Sequence, residues 1–401
     1  MKYFIIVITI FNILLLFNTI YFGVLALFPF LMKKKKRDII STKKHSFLVL
    51  IAARNEELVL GNLIDSINKQ NYDKNLFKIC VIPNNCTDNT KQIALDKKCM
   101  VIEPKYEIKS KGEVLNYAFN YFRKDKSFDT YVIFDADNIL DKNFLTKMND
   151  KLNEGYNIVQ GFRDTKNLYE NIITDNYALF FYLESLSIYT ARDRIGESST
   201  INGTGYIVTK QFIDKVKYKA YTLTEDVELT CICALNKEII GYAKDAIFYD
   251  EQVSDFKTSM IQRRRWIQGC NQVFRKYSKN LLSNLFNKFN FQMFDMFQFL
   301  YLPFNQPIAF VFLILSYIFI LDFKIILFGL LIGYIGQVLY AFFVFNYYHK
   351  KISKLVLAAF FFPIFNLTWL LLYIYAFFNT NNNWEEIKHN KDYKIEDLVD
   401  K

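Results

Sequence analysis

Long apolar stretches at the two ends of the chain enclose a middle section in which short apolar runs alternate with amphipathic ones. Residues 3–32 are apolar apart from Asn12, Asn18 and scattered hydroxyls. As a helix they reach about 45 Å, more than a bilayer core needs. The stretch is too long for a cleaved signal peptide, and no small-residue cleavage site precedes the lysines that follow, so it reads as a retained anchor. Further spans are predicted at 297–321, interrupted at Asn305-Gln306-Pro307, and at 325–345 and 355–378. Residues 280–293, with Leu281, Leu282, Leu285, Phe286 and Phe289 on one side, suit a helix lying in the interface. Gly329, Gly333 and Gly336 fit close packing of one span on another.

Between these ends the pattern changes. Residues 47–52, 77–82, 100–102 and 131–134 read as strands, and 57–67, the stretch after Asp88, and 111–122 as helices. This rhythm predicts a mostly parallel sheet with helices on both faces. Ligands on such sheets sit beyond the carboxyl ends of the strands, where Asn55, Asn84 and Asp135 fall. The second half is mixed: helical at 171–189 and 226–235, extended at 207–209 and 239–249, then a basic amphipathic helix at 254–277.

Charge adds topology rather than a nucleic-acid partner. Much of the formal +10 sits in Lys33-Lys34-Lys35-Lys36-Arg37 and in Lys43 and Lys44, and no basic-aromatic nucleic-acid motif appears. A basic flank stays inside, so the expectation is a multi-pass plasma-membrane protein with its middle section in the cytoplasm. The expected division is an anchor at 1–32, a basic flank at 33–45, a catalytic section at 46–277, an interfacial helix at 278–296, membrane helices at 297–378 and a polar tail at 379–401. The six cysteines fall in the cytoplasmic part, where thiols stay reduced, and neither they nor the three histidines have zinc-ligand spacing.

Three strings carry the candidate chemistry. Asp135-Ala136-Asp137 ends a buried-type strand, and carboxylates there suit a hard cation bridging diphosphate oxygens, although a solvated acidic turn has the same look. Thr224-Glu225-Asp226 opens a helix; Asp226 is either a general base for an acceptor hydroxyl or, with Thr224, merely a cap. Gln262 and Arg265 share a helical face that Trp266 adjoins. Arg265 suits a leaving phosphate and Trp266 a sugar ring, while Arg263 and Arg264 read as a basic, membrane-facing surface.

These strings, taken in order, resemble the inverting family 2 glycosyltransferases, especially the membrane-bound synthases of cellulose, hyaluronan, chitin and poly-N-acetylglucosamine. Three more motifs join them: Ala52-Ala53-Arg54-Asn55-Glu56-Glu57, Asn84-Asn85-Cys86-Thr87-Asp88 and Lys111-Gly112-Glu113-Val114-Leu115-Asn116. The turn Asn202-Gly203-Thr204-Gly205 resembles the family's acceptor-end stretch. The resemblance implies an α/β, GT-A-like fold flanked by transmembrane helices. It implies that Ala53, Glu57 and Asn84 surround a uridine, and that Lys111 and Asp135 hold ribose and phosphates. It further implies that Asp137 holds Mg2+ or Mn2+, that Asp226 is the base, and that Glu225, Gln262, Arg265 and Trp266 bind the acceptor and the diphosphate. The family usually has Asp where this chain has Asn84, and often Glu-x-Pro where it has Glu251-Gln252-Val253.

The function expected is transfer of a hexose or N-acetylhexosamine from a UDP-sugar to a growing glycan. One alternative is a single transfer to a membrane lipid, diacylglycerol or polyprenyl phosphate, which Phe289, Phe291 and Phe294 would suit. Another is an inactive scaffold, against which Asp135, Asp137 and Asp226 speak. The expected partners are the UDP-sugar donor, a glycan or lipid acceptor and membrane lipids.

Overall fold

The computed structural model describes residues 2–33, 37–106, 108–287, 289–319 and 322–378, with 393, 394, 396 and 398. Lys34, Lys35 and Lys36 of the basic run and residues 379–392 of the expected tail lie outside the described residues.

The strands are β1 (Phe47–Ala53), β2 (Phe77–Pro83), β3 (Met100–Val101), β4 (Thr130–Asp135), β5 (Ile139–Leu140), β6 (Ile158–Thr165), β7 (Tyr206–Thr209) and β8 (Ile240–Asp250). They form one sheet in the order β3-β2-β1-β4-β7-β6-β8-β5. The β3-β2-β1-β4 half is parallel, as expected. The other half is mixed: β7 runs antiparallel to both β4 and β6, β6 is parallel to β8, and β5 is antiparallel to β8.

The helices of the middle section are α3 (Leu60–Asn68), α4 (Thr90–Asp96), α5 (Lys111–Tyr121), α6 (Phe144–Asn153), α7 (Ile172–Glu184), α8 (Ala191–Ile195), α9 (Lys210–Val216), α10 (Glu225–Leu235) and α11 (Phe256–Asn287). Before them come α1 (Lys2–Leu25) and α2 (Phe28–Leu31), and after them α12 (Phe291–Phe319), α13 (Phe323–Tyr347) and α14 (Ile352–Phe378). The alternation of β1 explains the layers. Phe47, Val49 and Ile51 pack with Leu60, Leu63 and Ile67 of α3 and Phe144 and Met148 of α6. Leu48 and Leu50 pack on the other face with Val114, Leu115 and Phe119 of α5 and Leu229 of α10. Both faces are covered, so the strand is apolar at nearly every position.

Among the described residues, four helices are long and apolar enough to cross a membrane: Ile5–Leu31, Phe291–Phe319, Phe323–Tyr347 and Ile352–Ala376. A polar seam joins α1 to α12. Asn12 Nδ2 donates to Ser316 Oγ at 2.5 Å, Asn18 Nδ2 to Gln298 Oε1 at 2.8 Å, and Tyr21 Oη to Asp295 Oδ1 at 2.6 Å. Buried Arg192 of α8 closes the seam onto the middle section, with Nε and Nη2 on the Asp295 carboxylate at 2.7 and 2.8 Å.

Several expectations change. α11 runs unbroken to Asn287, and Asn290 then accepts from the backbone of Met293 at 3.1 Å, so the expected interfacial helix is split between the end of α11 and the start of α12. α12 continues through Pro303 and Pro307 instead of breaking there. In lipid, leaving the helix would strand more backbone groups than a proline does. A Cβ on Gly329, Gly333 or Gly336 would meet nothing within 4 Å, so these glycines do not seat one span on another within the described chain. Arg263 is buried rather than membrane-facing: Nη1 donates to Thr368 Oγ1 at 2.7 Å, and the guanidinium lies 4.3 Å from the Phe365 ring centre.

Candidate active site

A cavity of about 960 Å3 opens over the carboxyl ends of β1, β2 and β4 and continues between α1, α12 and α14. Ala53, Asn84, Lys111, Asp135, Asp137, Glu225, Asp226, Gln262, Arg265 and Trp266 all line it. Glu57, expected beside the nucleotide, does not. It is exposed, and its carboxylate accepts from the backbone N–H of Asn89 at 3.0 Å and from Asn89 Nδ2 at 2.9 Å. It ties the β1 loop to the β2 loop, while its neighbours Arg54 and Glu56 reach the cavity.

Lys111 begins α5, whose N-terminus is capped by Ser110 Oγ accepting from the Glu113 N–H at 3.2 Å. Its ammonium binds the Asp135 carboxylate, donates to the Gly203 carbonyl at 2.8 Å and stands 3.9 Å from Glu225. Burial opposes that charge, but Asp135 and Glu225 outweigh it, and the Lys111 pKa is raised. Gly112 is required here: a Cβ would lie 1.9 Å from the Ala220 carbonyl oxygen, where the loop before α10 crosses.

Asp137 is nearly buried at 9% exposure, so the solvated-turn reading fails. Asn138 Nδ2 donates to Asp137 Oδ1 at 3.3 Å and to Asp250 Oδ1, at the end of β8, at 2.8 Å. Among the described residues no group of three or more His, Cys, Asp or Glu is placed to hold a metal ion alone. The fit is to a cation that takes oxygen from Asp137 and completes its shell with diphosphate oxygens.

Thr224 makes no side-chain cap on α10, while the Asp226 carboxylate both lines the cavity and accepts from the Val227 N–H in the first turn. A Cβ on Gly203 would lie 3.5 Å from Asp226 Oδ2, which puts Asp226 one residue-width from the carbonyl that Lys111 binds. Burial raises the pKa values of both Glu225 and Asp226. Gly269 lets α11 approach this turn, since a Cβ would fall 2.4 Å from Thr224 Cγ2. Fully buried Glu228 then locks α10 to α11, accepting from Lys276 Nζ at 2.5 Å and Tyr277 Oη at 2.9 Å.

The sequence reading missed one wall, carried on β6 and α7. Arg163 Nη2 donates to the Asn202 carbonyl at 2.6 Å, Nη1 lies 3.5 Å from Asp250 Oδ2, and the guanidinium sits 4.4 Å from the Phe181 ring centre. Asn202 Nδ2 donates to Glu184 Oε2 at 2.8 Å. Glu184 ends α7, where the helix widens into a π segment over Ser185–Thr190, a distortion common at functional sites. Burial pushes its carboxyl up to about 7. Trp266 stacks near-parallel on Trp369 of α14 at 6.2 Å, and Trp369 on Phe180 at 5.3 Å. Asn18, Gln306, Asn366 and Tyr373 line the same arm.

A GT-A-like sheet, acids converging at its rim and apolar helices beside it define a glycosyltransferase with candidate membrane spans. Residues 45–269, more than half of the 401, match the family described as "Glycosyltransferase like family 2", and the chain belongs to that family. It is 26% identical over 245 residues to a probable glycosyltransferase of Bacillus subtilis, covering 57% of this chain and 56% of that protein. It is 24% identical over 237 residues to a beta-monoglucosyldiacylglycerol synthase of Synechocystis, covering 57% of this chain and 48% of that protein. The chain thus matches about half the length of these relatives. A mannosyltransferase from Pyrobaculum calidifontis, in complex with GDP-Man and Mn2+, shares the fold with a TM-score of 0.61. That similarity covers 92% of this chain and 96% of the other at 14% identity.

Proposed function

We propose that the chain transfers a hexose or N-acetylhexosamine, with inversion, from a UDP-sugar to a membrane lipid such as diacylglycerol or polyprenyl phosphate. The carrying observation is the continuity of the cavity. One end lies over the strand ends with Lys111, Asp135 and Asp137, and the other runs between α1, α12 and α14. An acceptor anchored by its tail among those helices brings its nucleophilic oxygen, a diacylglycerol hydroxyl or a polyprenyl phosphate oxygen, to Asp226 at the junction. The synthase relative, whose name specifies a glucosylated diacylglycerol, supports this choice of acceptor.

In this reading Lys111 and Arg265 hold the diphosphate, and Gln262 and Trp266 orient the acceptor. With diacylglycerol as acceptor, Asp226 takes the hydroxyl proton as that oxygen bonds to the anomeric carbon; an ionised polyprenyl phosphate oxygen carries no proton and attacks directly. The bond from that carbon to the diphosphate oxygen breaks on the opposite face, and its electron pair leaves with UDP. Asp137 would hold Mg2+ or Mn2+, which when bound would supply positive charge to the leaving diphosphate. The basic flank after α1 favours the cytoplasmic side of the plasma membrane for this chemistry.

Transfer to a growing glycan is the second reading, favoured by Trp266, Trp369 and Tyr373, whose rings line the membrane arm as sugar-stacking surfaces. Product size separates the two. Protein in lipid nanodiscs containing diacylglycerol or polyprenyl phosphate is given UDP-glucose, UDP-galactose or UDP-N-acetylglucosamine with Mn2+. Mass spectrometry is expected to find a lipid carrying one sugar. A ladder of oligosaccharides would overturn the lipid reading in favour of the polymer.

A further inference from the structure

Asn84 follows β2 and lines the cavity half-buried, yet its side-chain amide has no hydrogen-bond partner among the described residues. Its backbone is fixed nonetheless. The Asn84 N–H donates to the Ala53 carbonyl at 2.9 Å. Asn85, at φ +52°, turns away and donates from Nδ2 to the Ile108 carbonyl at 3.3 Å. Asn55 Oδ1 accepts from the Thr87 N–H at 2.8 Å, bracing the loop from the other side. A braced loop therefore presents to the cavity one half-exposed amide that no described residue engages.

Sheet register says what reaches it. Ala52 pairs with Asp135 and Ala53 with Pro83, so Asn84 stands two strands from Asp135, about 10 Å away at the usual strand spacing. That is the reach of a nucleoside from its phosphates.

We propose, building on the UDP-sugar reading above, that Asn84 reads the donor base and that its amide opens the site to cytidine as well as uridine nucleotides. A carboxylate only accepts hydrogen bonds. It takes the uracil N3–H but meets the bare N3 lone pair of cytosine with a second lone pair. An amide offers a carbonyl and an N–H side by side. In one orientation it pairs with the uracil N3–H and an adjoining carbonyl. Turned over, it gives its N–H to cytosine N3 and accepts from the cytosine amino group. The same side chain satisfies both bases, so the discrimination a carboxylate imposes is absent.

The test is calorimetric binding of UDP and of CDP, each with Mn2+, to the full chain in detergent. Wild type is expected to bind the two within about tenfold of each other. Asn84→Asp should weaken CDP by about 10–100-fold and leave UDP equal or tighter, the size expected when a buried polar group loses its partner. Asn84→Ala should weaken both alike. The proposal falls if wild type prefers UDP more than a hundredfold, if Asn84→Asp leaves the UDP-to-CDP ratio unchanged, or if Asn84→Ala binds both as well as wild type. Failure of wild type to bind either nucleotide overturns the donor-site reading along with it.

Discussion

Over β1, β2 and β4 the cavity side chains Ala53, Asn84, Asp135 and Asp137 hang from a strand end or the loop just past it, where strand pairing fixes their spacing, and Lys111 joins them from the start of α5. At the other end the wall is assembled from α1, α7, α11, α12 and α14, which are spread along the chain and meet chiefly through side chains. The first end suits a ligand whose phosphates and base keep fixed separations. The second is a wall to which each helix contributes its own side chains independently. Asp226 sits where the two ends join, and it is the point at which they can be separated by experiment.

Asp226→Asn should give the largest effect. Turnover is expected to fall by about 10²–10⁴-fold, the usual contribution of a positioned base. UDP binding with Mn2+ should stay as in wild type, because Asp226 belongs to the acceptor side. Turnover at the wild-type rate would remove the base assignment, and loss of UDP binding would show that the two ends are not separable there.

The assembly of the acceptor end can be broken from a distance. Arg192 is the buried partner of Asp295, and through Asp295 it joins α8 to α12 and α1. Arg192→Ala leaves that carboxylate buried without its cation, a change that costs about 3–5 kcal/mol. Thermal unfolding in detergent should shift down accordingly. An unchanged unfolding temperature would mean that α1 and α12 are held to the middle section by apolar packing alone.

The contrast between the ends also explains what the sequence shows. Strand ends carry local signatures: Asn55, Asn84 and Asp135 each follow an apolar run, and Asn84 and Asp135 line the cavity, whereas Asn55 turns aside to accept from the Thr87 N–H. Glu57 sits in the same loop as Ala53 but points out to clamp Asn89, and no pattern of apolar positions distinguishes the two directions. Arg163 was missed because β6 was missed. The alternation of Ile158, Val159 and Phe162 is interrupted by Gln160 and Gly161, both of which serve the Asn202–Gly205 turn: Gln160 Oε1 accepts from the Asn202 N–H, and Gly161 N–H donates to the Gly205 carbonyl. The remaining clue was Gly155, in the left-handed region at φ +86°, which closes α6 just before the strand. Asn18, Gln306 and Asn366 were visible as single amides in apolar spans, an expensive placement that points to a function, but their convergence needed the folded helices.

Asp137→Ala should touch the donor end alone. Removing one charged oxygen ligand is expected to cost about 2 kcal/mol, near thirtyfold, in UDP affinity measured with Mn2+. Affinity measured in EDTA should not change. Equal Mn2+ dependence in both proteins would show that the Asp135–Asp137 turn does not serve the cation.

The smallest effect probes the acceptor end through charge. Glu184 titrates near 7: burial raises it most, Arg163 pulls it back, and Asp226 pushes it up again. The repulsion is mutual, so an ionised Glu184 makes Asp226 harder to ionise. Below about 7 Glu184 is neutral, and above it a second negative charge stands beside the base. Glu184→Gln keeps the Asn202 hydrogen bond but removes that charge. The base is then easier to ionise above about 7, where Glu184 carries its charge, and the kcat profile should shift in that range only, by under about one pH unit toward lower pH. UDP affinity should be flat across the same range, since Glu184 faces Asn202 and the acceptor arm rather than Lys111 and Asp135. A profile identical to wild type would leave Glu184 as a wall residue only. A shift in UDP affinity instead would carry its influence across Gly203 into the donor end and dissolve the division between the two.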